Sequence, residues 1–130
     1  MQPGLSLPPP PPVPGFTQML RLVEADRTIG WARWHIADAS QGVMQILELE
    51  VDTTLRRQGY GRRLMDAAIA QGRQYLANHQ LPLRRVWLAV QQKRQIIARS
   101  FLTKCGFHHT GSVEDLLAGQ EALVYVKGTD

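Results

Sequence analysis

The chain has 130 residues, of which 44% are apolar and 20% charged, a globular balance sized for one domain with its own core, so disorder and fibrous structure are set aside. Fifteen Lys and Arg against eleven Asp and Glu leave a net charge of +4, a bias toward anionic partners such as nucleic acid, phosphorylated cofactors or acidic surfaces. The single cysteine, Cys105, excludes an intrachain disulfide framework and a CxxC zinc site and points to a reducing cytoplasm, and neither a membrane-length apolar run nor a secretory signal pattern is present.

Seven of the eight prolines fall within the first 14 residues, five of them consecutive from Pro8 to Pro12. Such a run is driven toward polyproline II and joins neither helix nor sheet, so residues 1–16 read as an arm and residues 17–130 as the folded domain. A spacer and a ligand for a proline-recognising module are the two readings of that arm. The stretches Met19–Glu24, Thr28–Ile36 and Val43–Val51 are rich in β-formers and are separated by the short polar connections ADRT and DASQG, the pattern of an antiparallel meander. From 62 to 77 the period changes to that of a helix, with Leu64, Met65, Ala68, Ile69, Gly72, Tyr75 and Leu76 on one face; Gly72 inside it implies close packing on the sheet. Val86–Val90, VWLAV, is apolar without alternation and reads as a strand covered on both faces. Gln95–Lys104 forms a second helix stopped by Gly106, and two more strands follow at about Phe107–Val113 and Ala122–Lys127. The order is βββαβαββ, a mixed and mostly antiparallel α/β sheet with two main helices.

Alternation within the meander assigns faces. Leu47, Leu49 and Val51 share one side of their strand and Glu48 and Glu50 the other; Leu20 and Leu22 oppose Arg21, and Ala32, Trp34 and Ile36 oppose Arg33 and His35. One sheet face therefore carries polar groups, to be covered by solvent, substrate, a second subunit or the proline arm.

The segment LRRQGYGRRL, residues 55–64, sets Gly59 and Gly61 among Arg56, Arg57, Arg62 and Arg63 at a helix start. A helix N-terminus offers unpaired N–H groups and a partial positive charge, and bare backbone there lets a phosphate approach. A P-loop is excluded because no G-K-S/T follows the glycines, and a dinucleotide fingerprint is excluded because Leu64 occupies its third glycine. What fits is R-x-x-G-x-G over Arg56, Arg57, Gln58, Gly59, Tyr60 and Gly61.

With the preceding strand ILELEVD, and with QIIARSFLTKCGF resembling the signature N-x-x-A-x-x-L-Y-x-K-x-G-F, the chain resembles the GNAT superfamily of acetyl-coenzyme A dependent N-acetyltransferases from about Met19 to Lys127. The resemblance implies a GNAT-like fold with acetyl-coenzyme A as cosubstrate. It implies that backbone groups of Leu49 and Val51 pair with the pantetheine arm and that N–H groups from Arg57 to Arg62 hold the pyrophosphate. Gln95 stands where the family has Asn, Ala98 and Phe101 let the second helix lie against the cofactor, and Gly106 and Phe107 match the closing turn. Two departures stand out. The family's tyrosine, which protonates the leaving thiolate, falls at Leu102, leaving Tyr125, Cys105, His108 and His109 as substitutes or as structural residues. The family's opening strand and two helices, which shape the acceptor pocket, have only the proline-rich segment in their place, in keeping with an uncovered polar sheet face.

The expected activity is direct transfer of an acetyl group to a primary amine of a small molecule, peptide or protein. A carboxylate on the central strand then accepts the amine's proton, and Glu48 and Glu50 are the candidates. The competing reading pairs them with Arg21 or Arg33 across strands. His35 is a weaker base on the same face, and Trp31, Trp34 and Trp87 are read as core or arm-contacting aromatics. No metal is required. Two other classes are weighed: a non-catalytic acetyl-coenzyme A binding module, and a basic nucleic-acid binder, which lacks an aromatic platform or recognition helix. An open sheet face also suits a homodimer, and no membrane partner is expected.

Overall fold

The computed structural model describes residues 17–55, 58–91, 95–117 and 120–129; the proline-rich segment 1–16 lies outside that set. Strand β1 (Thr17–Glu24) and β2 (Arg27–Asp38) form a hairpin. Ala25 and Asp26 both take positive φ, 50° and 61°, the combination that gives a two-residue turn matching strand twist. Strand β3 (Val43–Val51) pairs antiparallel with β2 and leads through a 3-10 turn, Thr53–Leu55, to helix α1 (Tyr60–Asn78). Then follow β4 (Arg85–Gln91), helix α2 (Gln95–Lys104), β5 (His108–Leu117) and β6 (Gln120–Gly128). The six strands form one sheet in the order β1-β2-β3-β4-β6-β5, antiparallel throughout except for β3 and β4, which run parallel. The expected βββαβαββ order holds, with the short 3-10 turn as an addition and α1 beginning two residues earlier than periodicity indicated.

Both helices bury side chains in a single cluster on one side of the sheet: Leu64, Met65, Ala68, Ile69 and Leu76 from α1, Leu102 from α2, against Trp34, Met44, Ile46, Val86, Leu88 and Tyr125 from the strands. Gly72 lets α1 descend onto β3, because a Cβ there would run into the Met44 sulfur. Helix α2 ends in a Schellman arrangement: Gly106, at φ 91°, donates its N–H to Thr103 O at 3.0 Å, and Phe107 donates to Leu102 O at 2.8 Å.

Two expectations are corrected. Leu47 does not share the inner face with Leu49 and Val51. The pairing jumps from Arg33↔Glu48 to Trp34↔Ile46, so Leu47 is the extra residue of a β-bulge, and it stands 39% exposed while Ile46 and Met44 turn inward. Strand β4 is not enclosed on both sides: Val86 and Leu88 are buried among the helices, whereas Trp87 and Ala89 are half-buried on the other face.

Candidate active site

The central feature is a fork between β3 and β4. Their parallel ladder has three rungs, Val43↔Arg85, Met44↔Val86 and Gln45↔Trp87, and then stops. Beyond it, among the described residues, Ile46–Val51 of β3 keeps β2 on one edge and has no strand on the other, while Leu88–Gln91 of β4 keeps only β6. Facing backbone edges are thus left unladdered, with the bulge at Leu47 near the vertex. Leu49 and Val51, expected to bind a cofactor through their backbone, lie on this free stretch.

The start of α1 closes the mouth of the fork. Its Leu64 lies over Gly30, the β2 partner of Val51, and a Cβ on Gly61 would stand 3.0 Å from the Phe101 ring of α2. Gly61 is therefore small because α2 packs there. Gly59 has a different reason: its Cβ would meet nothing, but its φ of 83° lies in the left-handed region where other residues are strained. No described side chain caps the helix, and the first amide bond along it runs from Arg63 N–H to Gly59 O at 3.1 Å. The N–H groups of Tyr60, Gly61 and Arg62 consequently precede the hydrogen-bonded ladder, at the positive end of a 19-residue helix. Gln58 and Arg62 are exposed beside it. Arg56 and Arg57 lie outside the described residues, as do the side chains of Gln95 and Ala98, whose backbone begins α2.

Side chains not singled out by sequence brace this region. Glu24, at the end of β1, accepts from Arg63 Nη1 at 2.8 Å and from the Tyr60 hydroxyl at 3.1 Å. Those bonds lower the Glu24 pKa, and the same carboxylate raises that of Tyr60. Arg63 is thereby engaged, one arginine fewer for a ligand. Asp52 accepts Thr54 N–H at 2.9 Å, the Thr54 hydroxyl at 2.8 Å and Arg27 Nη2 at 3.0 Å, and these donors hold its carboxyl at about 2, with the Thr54 bonds contributing most. The D-x-T spacing was a readable signal for this turn; nothing in the sequence pairs Glu24 with residues 36 and 39 positions away.

On the open face, the two candidate carboxylates differ. Glu48 is held in an ion pair with Arg33 at 2.9 Å, and the Trp31 indole N–H approaches its other oxygen at 3.4 Å. Glu50, opposite Trp31, has no side-chain partner among the described residues. At the vertex, His35 Nε2–H donates to Gln45 Oε1 at 2.6 Å. Of the tryptophans, Trp34 is core at 2% exposure and donates to Gln71 Oε1 at 2.9 Å, while Trp31 remains 36% exposed. Among the described residues, no cluster of three or more His, Cys, Asp or Glu is arranged to hold a metal ion. No described helix is long and apolar enough to cross a membrane.

A six-stranded, mostly antiparallel sheet forked between its two parallel strands, with a helix start at the fork's mouth, defines a mixed α/β class of fold. The chain belongs to the acetyltransferase (GNAT) family, whose model matches residues 10–107. Among solved structures, it is similar to a Bacillus subtilis acetyltransferase in complex with CoA, at 13% identity and a TM-score of 0.73, covering 88% of this chain and 78% of that one. It is similar to an acetyltransferase from Bacillus cereus, at 20% identity and a TM-score of 0.68, covering 91% and 76%. It is also similar to a variant of the spermidine N-acetyltransferase from Vibrio cholerae, at 14% identity and a TM-score of 0.71, covering 88% and 67%. No curated protein matches the chain.

Proposed function

We propose that the protein transfers an acetyl group from acetyl-coenzyme A to a primary amine, and that the fork is the place of transfer. The observation that carries this reading is the meeting of two features: an unladdered edge of β3 and an uncapped helix start at its open end. The dimensions fit. The free stretch Ile46–Val51 extends roughly 20 Å at about 3.3 Å per residue. A pantetheine arm, with its two amides, has the reach of about four extended residues, or roughly 14 Å.

In this reading the N–H groups of Tyr60, Gly61 and Arg62 hold the pyrophosphate, with Gln58, Gly59 and the arginines at 56 and 57 forming the rest of the loop. Backbone groups of Leu49 and Val51 complete a ladder with the pantetheine amides, and Phe101 backs the helix start. Acetyl-coenzyme A supplies an activated thioester when bound. The acceptor amine approaches from the open face, where Glu50, which has no side-chain partner among the described residues, accepts its proton through water. Glu48, tied to Arg33, holds the register beside it and leaves the role of base to its neighbour. The acceptors to be tried are small polyamines and peptide amines. The neighbour in Vibrio cholerae is named for spermidine, and Glu48 and Glu50 give this face carboxylates to meet a cationic amine.

A second reading, a binding module without turnover, is favoured by one observation: Leu102 is an apolar core residue where the resembled signature has tyrosine. Calorimetry with acetyl-coenzyme A, followed by free-thiol release across a panel of amines, separates the two. Binding with release supports transfer; binding without release for any amine supports the module. Gly59→Val forces a β-branched residue to φ 83°, at about 1–2 kcal/mol of local strain. It is expected to weaken acetyl-coenzyme A binding by roughly tenfold or more, as judged by calorimetry. Unchanged affinity would remove the helix start from the site.

A further inference from the structure

Tyr125, in the middle of β6, is 1% exposed, and its hydroxyl is buried with no hydrogen-bond partner among the described residues. A buried hydroxyl without a partner costs about 1–3 kcal/mol. Phenylalanine would fill the same space without that cost, so packing alone gives no reason for the oxygen. Among the described residues, the one other buried side-chain polar atom in this condition, His79 Nδ1, belongs to the C-cap of α1, at the opposite end of that helix from the fork.

Tyr125 stands at an informative position. Its partner across the ladder is Leu88, the first residue of β4 beyond the last rung shared with β3. Tyr125, Leu88 and Leu102 belong to the same buried cluster. The side chain therefore lies on the helix side of the sheet, one strand from the fork, with its ring 5.4 Å from that of His109 on β5. The other groups that could give up a proton are less suited. Cys105 is buried and its burial pushes the thiol pKa up, His108 and His109 are exposed on the edge strand β5, and the Tyr60 hydroxyl is bound to Glu24.

We propose that Tyr125 is the proton donor to the departing sulfur, and that its hydroxyl is unpartnered among the described residues because its partner is the coenzyme A sulfur. This rests on the acetyl-transfer reading above. In the step, the amine nitrogen bonds to the acetyl carbon, the carbon–sulfur bond breaks with its electron pair on sulfur, and the Tyr125 proton moves to that sulfur. The surplus proton on nitrogen leaves through water to Glu50, and the Tyr125 oxygen is reprotonated from solvent as products exchange. A donor reassigned from a helix to the last strand would explain how the chain carries leucine at 102.

The test compares Tyr125→Phe with the wild type in the full chain. The variant should melt at the same or a higher temperature, because it loses an oxygen that no described residue satisfies. Wild type should bind coenzyme A more tightly than desulfo-coenzyme A, and Tyr125→Phe should erase that difference. Its kcat for acetyl transfer should fall by about 100-fold with KM for acetyl-coenzyme A unchanged. In wild type labelled at the tyrosine ζ-carbons, the Tyr125 resonance should move with coenzyme A and stay with desulfo-coenzyme A. If both ligands and kcat are unaffected by the substitution, or if activity and melting temperature drop together, the assignment is overturned. If the wild type binds no acetyl-coenzyme A at all, the reading of the fork falls and this one with it.

Discussion

The two faces of the sheet obey different rules. On the helix side, Trp34, Met44, Val86 and Leu102 are sealed under α1 and α2. On the other side, Met19, Trp31 and Leu47 stand partly exposed among Arg33, Glu48 and Glu50. Stability is concentrated on the first face, where buried area and close packing are found. On the second, apolar surface and charge lie open beside the fork. Sedimentation at several concentrations would test whether this face, with Met19, Trp31 and Leu47 partly exposed, pairs with a second copy.

The sharpest way to break the comparison is a pair of matched substitutions three residues apart. Trp34→Ala should lose about 3–5 kcal/mol in urea unfolding, whereas Trp31→Ala on the opposite face should stay within about 1 kcal/mol. Equal losses would mean that the second face is covered in solution. Next in size, Gly72→Val drives a side chain into Met44 and should cost about 1–3 kcal/mol by overpacking. Adding the Met44→Ala change should recover part of that loss, as a double-mutant cycle would report.

A smaller effect of opposite sign is expected at the sheet's edge. Ala25 and Asp26 occupy left-handed positions that Asn and Gly take readily, so Ala25→Asn with Asp26→Gly should stabilise the fold by up to about 1 kcal/mol. The smallest signal concerns acid. The Asp52 carboxyl titrates at about 2 in the folded chain against an ordinary 3.8, so its contribution is complete above the latter value and drains away as pH falls toward the former. Thermal melts of Asp52→Asn should accordingly lack part of the wild-type decline between about pH 4 and pH 2. An unchanged acid slope would show that the turn into the helix start does not depend on that carboxylate.

Where residues act through their own period or conformational preference, sequence was sufficient. The strands, the inner face of α1 and the stop at Gly106 were readable because alternation, helical spacing and turn chemistry are local. The fork was only implied by resemblance, since the end of a ladder is decided by where two distant strands diverge. Leu47 shows the limit most clearly. Its alternation with Glu48 was regular, and the bulge that displaces it comes from register with β2, about fifteen positions away. Gly61 was read as clearance for a phosphate, but its neighbour is Phe101, a contact made forty residues on. That Glu48 rather than Glu50 is ion-paired depended on which of them Arg33 reaches.

The link from Glu24 to Tyr60 and Arg63 has a mechanical consequence. It fastens the tip of the first hairpin to the opening turn of the central helix, so a load placed on that turn is felt at the sheet's outer strand. Amides of residues 18–24 should then exchange more slowly with deuterium once an anion is docked, and Glu24→Ala should uncouple the two.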